Sequence, residues 1–555
     1  MSSKEVLLES HNTTRHDGGV ALQLPNGLGT IVALASERVS RKKHDGDSSI
    51  AYDYLRSRLS DNNWVFGGDA DYFSNEYRKH QDLHHHLGHA SGAFFSSGFD
   101  SATVVVIDGQ GPFVKKGEYA STSIWKGHGK DIDMLSINPE TEYSTQSIGL
   151  VYSAITYYLG FGFLEEGKTM GLASYGKRSS LYDNLKKWIL VEGDGLYRID
   201  PSFIEALFYL GDGKEYFHWE NRQPSLRAQE IMPTILHQFG NPRRKGEKIS
   251  KTDLDLAWAV QAVLDEIVLS VMERSKVLTG SDNLCFAGGV ALNSVTNRRI
   301  IESEMFSKVF ILPAAGDDGQ ALGRLLYRIH QNGAQSDSTH KYEMKNVYLG
   351  PKYEDKEIQD VLRKYKDQII FQHLDEDNLV EKTARSIASG EVLGWWQGRS
   401  ELGPRALGNR SILADPRNPE MRDYINFRVK HREWFRPLAP SVVIDSMNDY
   451  FMTNTPLPYM LVVAETRHNK RDQIPAVVHV DGTARVQTVT QTQNPIYYRL
   501  IKRFGDITGV PVILNTSFND TGEPLVESPE VALKTFLRMN LDHLVIENSF
   551  VTKKN

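Results

Sequence analysis

Ser101–Gly111 reads SATVVVIDGQG, and Ser121–Gly127 reads STSIWKG. The first stretch is an apolar run that ends in Asp108 and a Gly-rich turn. The second has the alternation of a half-buried strand, so together they read as strand, turn, strand. The start of the chain has the same design: KEVLLES at Lys4–Ser10, GGVALQL at Gly18–Leu24 and GTIVALAS at Gly29–Ser36, with Gly and Asp at the turns. Two hairpin starts predict a duplicated, phosphate-gripping α/β fold.

Working outward, Ser250–Gly280 has helical apolar spacing, acids early, bases late and a closing glycine. NLCFAGGVALN (Asn283–Asn293) is a buried strand entering a glycine turn. KVFILPAAGDDGQALGRLLYRI (Lys308–Ile329) is a strand, an acidic turn and a helix. Such alternation argues α/β, and the duplication places the N-terminal part in the class of sugar kinases and actin. The chain turns polar between about Gly333 and Asp360, which predicts a domain boundary. Beyond it the composition changes: eight arginines fall between Arg399 and Arg436.

At 555 residues the chain needs more than one core. A net charge of −6 gives no global attraction to nucleic acid. The single cysteine, Cys285, lies in an apolar run and reads as a buried, inert thiol, which fits a reducing compartment. No long apolar core opens the N-terminus and no stretch approaches a membrane helix, so no signal peptide and no membrane span are expected, and the expected location is the cytoplasm.

The histidines of DLHHHLGHA (Asp82–Ala90) raise the first chemical question. His85 and His89 are four apart and share one face of a helix, the spacing that lets two imidazoles reach one metal; an isolated pair of this kind is more often a polar helix face. Asp108 shifts the balance, because a carboxylate at the end of a buried strand needs a cation or hydrogen-bond donors. Asp317-Asp318 stands at an equivalent strand end. Two His and two Asp make a nitrogen and oxygen set suited to Fe(II), Mn or Zn. His84 and His86 point to other faces.

GFLEEGKT (Gly162–Thr169) matches the phosphate-loop pattern literally. That loop should follow a strand and open a helix. Here a helix and turn precede it, the glycines that follow argue against a helix, and Glu165 and Glu166 repel phosphate. A phosphate loop is not expected, although Lys168 can still meet an anion. Farther on, Arg399, Arg405 and Arg410 lie among glycines and a proline, and Lys430, Arg432 and Arg436 follow. Arginine suits bidentate recognition of phosphate or carboxylate, and the interleaved Trp and Gly favour a lined pocket over a solvated basic face. LNTSFNDTGEP (Leu514–Pro524) is a polar loop able to close such a pocket.

The chain resembles the NodU/tobramycin-type O-carbamoyltransferases. The matching stretches are HDGGVAL, ERVSRKKH, HHLGHA, VIDGQG, EGKTMGLASYG, AGGVALN, GDDGQALG, GPRALGNRS, VKHREWFRPLAPS, ARVQTVT and LNTSFNDTGEP, in this order along nearly the whole sequence. The resemblance implies an actin-like, threonylcarbamoyl-transferase-like domain over 1–350 and a YrdC-like α/β domain over 361–555. It implies that the second domain makes carbamoyl-adenylate from carbamoyl phosphate and ATP with Mg2+. The first then transfers the carbamoyl group, with a divalent metal, most often Fe2+, to a hydroxyl-bearing small-molecule acceptor. No nucleic acid and no membrane are expected as partners, and a homodimer is compatible with the scheme.

Residue by residue, the resemblance makes His85, His89, Asp108 and Asp317 the metal ligands, His16 the acid/base and Lys43 a group at the acceptor end. Ser147, Ile148, Lys168, Gly288, Gly289 and Asn293 match positions around the adenylate. Arg405, Lys430, Arg436, His479, Arg485 and Asn515 match positions around ATP and carbamoyl phosphate. HDGG in place of HDAS, and Ser36 where a Glu is common, leave the acceptor open. Two other readings are a threonylcarbamoyl-type tRNA-modifying enzyme, disfavoured by the lack of an extended basic face, and an actin-like nucleotide-dependent binding protein, disfavoured by the histidines and the arginine block.

Overall fold

The computed structural model describes residues 6–12, 17–23, 31–59, 65–66, 84–109, 113–115, 118–141, 147–191, 195, 197–217, 222–331 and 342–554. His16 lies outside them. The described chain is mixed α/β and divides into two compact units. One holds residues 1–68, 317–325 and 344–555; the other holds 69–316 and 326–343. The division therefore interleaves along the sequence.

Both hairpin starts are present. In the first unit β1 (Val6–Asn12), β2 (Gly19–Gln23) and β3 (Ile31–Ala35) form an antiparallel meander, with β4 (Val65–Phe66) parallel to β1. The second unit repeats the plan on a larger scale. There β5 (Ser101–Ile107) pairs antiparallel with β7 (Glu118–His128), and β7 with β8 (Asp131–Thr141); β6 (Phe113–Lys115) also pairs with β7. After the small ribbon of β9 (Ile189–Val191) and β10 (Tyr197–Ile199), β11 (Asn283–Ala287) pairs parallel with β5, and β12 (Lys308–Ile311) with β11. A meander with a parallel strand beside its first member thus occurs twice, which is the duplicated, actin-like arrangement. The second half of strand β5 is a run of apolar residues because neighbours on both edges and helices on its faces bury it; Val104 to Ile107 are all 0% exposed.

The helix Lys251–Thr279 packs behind this sheet and ends as its sequence predicts. Ser250 and Asp253 form a capping box, and Gly280 closes it in the left-handed region at φ 66. The helix Glu166–Ala173 is a correction. The glycines after the phosphate-loop string argued against a helix, yet one forms through Gly167 and Gly171. Its buried face, Thr169 to Ala173, packs on the long helix, and tertiary burial outweighs the roughly 1 kcal/mol that a glycine costs in a helix interior.

The C-terminal part of the first unit is built on an eight-stranded sheet. Its strands are β13 (Ile369–His373), β14 (Leu393–Trp396), β15 (Arg410–Ala414), β16 (Ala439–Val443), β20 (Gln487–Val489), β21 (Val512–Ser517), β22 (His543–Ile546) and β23 (Ser549–Lys553). A separate ribbon holds β17 (Phe451–Met452), β18 (Val463–Thr466) and β19 (Thr483–Arg485). Trp395, Leu413, Ile513 and Val545 of the large sheet pack against Tyr497, Leu500 and Phe504 of the helix Pro495–Thr508. Among the described residues no helix is long and apolar enough to cross a membrane. Cys285 is buried.

Candidate active site

The helix His84–Ser96 and the end of β5 meet in the second unit. His85 and His89, one turn apart, present their rings at 4.8 Å in an edge arrangement. Both face Asp108: His85 Nε2 lies 2.8 Å and His89 Nε2 3.4 Å from Asp108 Oδ2. The other oxygen, Oδ1, accepts the backbone N–H of Gly109 at 2.9 Å and of Gly289 at 3.1 Å. One carboxylate oxygen is thus fixed by the chain and the other is offered to the imidazoles. Burial alone would raise the Asp108 carboxyl. Hydrogen bonds from His85 and His89, and their charge, hold it well below the usual carboxylate range. His86 points elsewhere: its Nδ1 meets Ser123 Oγ at 2.7 Å, and burial keeps it neutral by pushing its pKa well down.

The chemistry of this donor set fits a divalent metal. His85, His89 and Asp108 each bring a ligand atom within 4.8 Å of the others, two nitrogens and one anionic oxygen. Asp317 is buried, at 8% exposure, in the turn Asp317–Gly319, which follows directly on Gly316.

The glycine turn after β11 is shaped by β5. Gly288 has φ +91 and its N–H donates to Ala315 O at 2.9 Å. A Cβ there would stand 2.3 Å from Ile107 O, and one on Gly289 would stand 3.0 Å from Asp108 Oδ1. Gly288→Ala should therefore destabilise the protein by more than about 3 kcal/mol, since strain and clash add. Gly509, at φ +76 with nothing within 4 Å, is the control. Gly509→Ala should cost only the left-handed strain, about 1–2 kcal/mol. Urea unfolding of both variants checks the difference.

Four other residues assigned to the adenylate have local roles in the fold. Ser147 caps the helix Ile148–Tyr158 and donates from Oγ to Asp108 O at 3.0 Å. Ile148 is fully buried beside it. Asn293 caps the helix Ser294–Glu302, accepting from Val295 and Thr296 N–H, and donates to Gln261 Oε1 at 3.0 Å. Lys168 pairs with Glu165 at 2.6 Å. Glu165 also accepts the Gly162 N–H at 2.8 Å, so the phosphate-like loop is filled by its own carboxylate.

In the first unit the arginine block separates into two groups. Arg399 donates to Gly350 O, Ile31 O and Leu349 O, and the fully buried Arg410 donates to Gln397 O, Asn409 O, Gly398 O and Glu527 O. These two, expected in the pocket, are architectural. Arg405, Arg432, Arg436 and Arg485 instead crowd one another. Burial and Arg436 push Arg405 down to about 10 and Arg432 down to about 9. Burial and the charges of Arg405, Arg436 and Arg432 push Arg485 well below its usual value. Arg485 Nε and Arg432 Nη2 are buried with no acceptor among the described residues. A cluster of this kind has the form of an anion site, because only an anion relieves both the repulsion and the unmet donors.

The other residues expected at this site have these partners. Lys430, 3% exposed, donates to Ser517 O at 2.8 Å, Asn519 O at 2.6 Å and Asn519 Oδ1 at 2.5 Å. Asn515, on β21, donates to Ser441 Oγ at 3.1 Å and Gln487 Oε1 at 3.0 Å. His479 Nδ1 lies 3.7 Å from Asp481 Oδ1. Sequence reading passed over Glu401. Its Oε1 accepts the N–H groups of Leu407, Asn409 and Arg410 at 2.7–3.1 Å, which shapes the loop that carries Arg405. A buried carboxylate among glycines is the signal that was available.

The N-terminal end of the same unit is acidic. His44 Nδ1 lies 2.8 Å from Asp17 Oδ1, and the His44 N–H donates to Glu37 Oε2 at 3.0 Å. Lys43 is exposed beside them. Burial, then Asp17, Glu37 and Asp317, push the Asp318 carboxyl up from 3.8 to about 8. The folded protein then holds a proton there that the unfolded chain has lost, so stability falls as pH rises from about 4 to 8. Thermal melts in chelator should show that decline in the wild type and a flatter profile in Asp318→Asn.

Comparison with known proteins adds the following. The family model described as carbamoyltransferase N-terminus matches residues 70–326, and carbamoyltransferase C-terminus matches 384–553. The nodulation protein NolNO of Sinorhizobium fredii is 34% identical over 99% of this chain and 80% of its own. The nodulation protein NolO of Bradyrhizobium diazoefficiens is 36% identical over 85% of this chain and 79% of its own. An uncharacterized Synechocystis protein, sll1178, is 38% identical over 84% of this chain and 75% of its own.

Proposed function

Since the chain belongs to the carbamoyltransferase family, we propose that it is an ATP-dependent O-carbamoyltransferase that works in two half-reactions. The functional modules are residues 361–555 for carbamoyl-adenylate formation and 1–350 for transfer. The observation that carries this reading is the cluster of Arg405, Arg432, Arg436 and Arg485, in which Arg485 Nε and Arg432 Nη2 are buried with no acceptor among the described residues. Carbamoyl phosphate and ATP bring several negative charges together, and fixed cations stabilise that arrangement without reorganising.

In the first half-reaction water cleaves carbamoyl phosphate to carbamate and phosphate. A carbamate oxygen attacks the α-phosphorus of ATP, carried with Mg2+, and pyrophosphate leaves. Arg405, Arg436 and Arg485 hold the anions, His479 and Asn515 line the site, and Lys430 fixes the polar loop beside it. Carbamate decomposes readily, so this site must exclude bulk water.

In the second half-reaction the acceptor hydroxyl oxygen attacks the carbamoyl carbon, AMP leaves and the hydroxyl proton goes to a base. The base is His16, and Lys43 stands at the acceptor end. His85, His89, Asp108 and Asp317 would hold a divalent metal, Fe2+ by family analogy, which would supply Lewis-acid polarisation of the carbamoyl group. Ser147, Ile148, Lys168, Gly288, Gly289 and Asn293 form the adenylate's surroundings. The acceptor is a small-molecule natural product or sugar, and the enzyme works in the cytoplasm.

The test measures pyrophosphate release from ATP with and without carbamoyl phosphate, followed by a mass scan for carbamoyl-sized additions across candidate hydroxyl compounds. ATP turnover indifferent to carbamoyl phosphate would sink the proposal.

A further inference from the structure

Arg41 sits far in sequence from the arginine cluster, yet within the same compact unit it reaches the loop beside it. It ends the helix Ser36–Ser40 in the left-handed region, at φ 61. Its Nη1 donates to Leu525 O at 2.5 Å; its Nη2 donates to Pro524 O at 2.9 Å and meets Glu523 Oε2 at 3.3 Å. One turn earlier Arg38, 3% exposed, donates to Glu401 O at 3.2 Å and Gly403 O at 2.9 Å. Gly403 is two residues before Arg405. Two arginines of one short helix therefore hold both loops that border the cluster.

The loop is held from its other side by Lys430. Asn519, which takes two hydrogen bonds from Lys430 Nζ, donates from Nδ2 to Glu523 O at 2.5 Å. Thr521 Oγ1 donates to Lys430 O. A continuous path runs from Arg41 through Glu523–Leu525 and Asn519 to the Lys430 ammonium. That ammonium is buried and repelled by Arg432, Arg436 and Lys43. The carbonyl oxygens of Ser517 and Asn519 hold it in place against these like charges. If the loop shifts, Lys430 loses its acceptors and the geometry of the cluster shifts with it.

We propose that Arg41 is a positioning residue for the first half-reaction: its grip on Glu523–Leu525 sets the loop that fixes Lys430 beside the anion cluster. The inference rests on the reading of that cluster as the carbamoyl phosphate and ATP site. It joins the N-terminal segment, on which the acceptor end is placed, to adenylate formation. The two sites are then coupled through a shared element and not only through a shared intermediate.

The experiment uses the full chain with carbamoyl phosphate and ATP, and no acceptor, and follows pyrophosphate release in wild type, Arg41→Ala and Arg41→Lys. In Arg41→Ala the apparent KM for carbamoyl phosphate should rise about ten- to a hundred-fold, the effect of losing hydrogen bonds from a charged group, and more than kcat falls. Arg41→Lys, which keeps the charge but not the fork, should fall between. A lower kcat with unchanged KM would mean only a smaller folded fraction and would overturn the inference. So would a KM within two-fold of wild type in either variant. If Arg41→Ala does not fold, Arg41→Lys alone decides by the same criterion. Absence of carbamoyl-phosphate-dependent release in the wild type would refute the functional reading itself, which separates the two failures.

Discussion

Carbamoyl transfer is expected to vanish in His85→Ala and in Asp108→Asn, while carbamoyl-phosphate-dependent pyrophosphate release continues near the wild-type rate. Asp108→Asn keeps the shape. The amide oxygen can still accept from Gly109 and Gly289, but the atom facing His85 and His89 becomes an uncharged donor. The metal set then loses one of its two carboxylates, the one that faces both imidazoles. His85→Ala removes one nitrogen and leaves Asp108 where it is. The arginine cluster belongs to the other compact unit. Metal content, measured on the purified variants, should fall with transfer. If both half-reactions die together in a folded variant, the assignment of separate sites is wrong.

The second large effect is expected at Arg485. Arg485→Ala should lower carbamoyl-phosphate-dependent pyrophosphate release roughly ten- to a hundred-fold, from the loss of a charge-assisted hydrogen bond worth about 1.5–3 kcal/mol. Carbamoyl-adenylate made beforehand should still be used by the variant at the wild-type rate. A second signature accompanies the loss. Arg485 is pushed well down by burial and by Arg405, Arg436 and Arg432, so deleting it relieves like-charge repulsion. The variant should melt at a higher temperature than the wild type in the absence of substrates, the usual trade between stability and a charged site. Loss of both rescue and stability would return Arg485 to a structural role.

Local signals carried much of this into the sequence. The meander starts, the capped helix Lys251–Thr279 and the strand that delivers Asp108 follow from periodicity and turn chemistry, which act over a few residues. The pairing of His85 and His89 was legible because a helix turn is short, and the turning away of His86 for the same reason. What composition could not separate was the arginine block. Arg399 and Arg410 lie as close to glycine and proline as Arg405 does, yet carbonyls from distant segments claim them. Only the fold decides which guanidinium is consumed by backbone and which is left facing its neighbours. The helix through Gly167 and Gly171 failed for a related reason: propensity is local, and the burial that overrides it is not. Lys430 was found by resemblance, but its partners, Ser517 at the end of β21 and Asn519 just beyond it, lie almost ninety residues away.

The interleaved division has a consequence for how the chain is made. Residues 1–68 leave the ribosome well before the body they join, 344–555. At about 5–20 residues per second, the first segment waits roughly half a minute or more for its partner. During that time Arg38 and Arg41 have no loops to grip, and strands β2 and β3 carry apolar side chains with nothing to cover them but their own helix. The segment is thus exposed to chaperones and proteases while it waits. Expression yield should depend on translation speed through the last third of the message more than through the first.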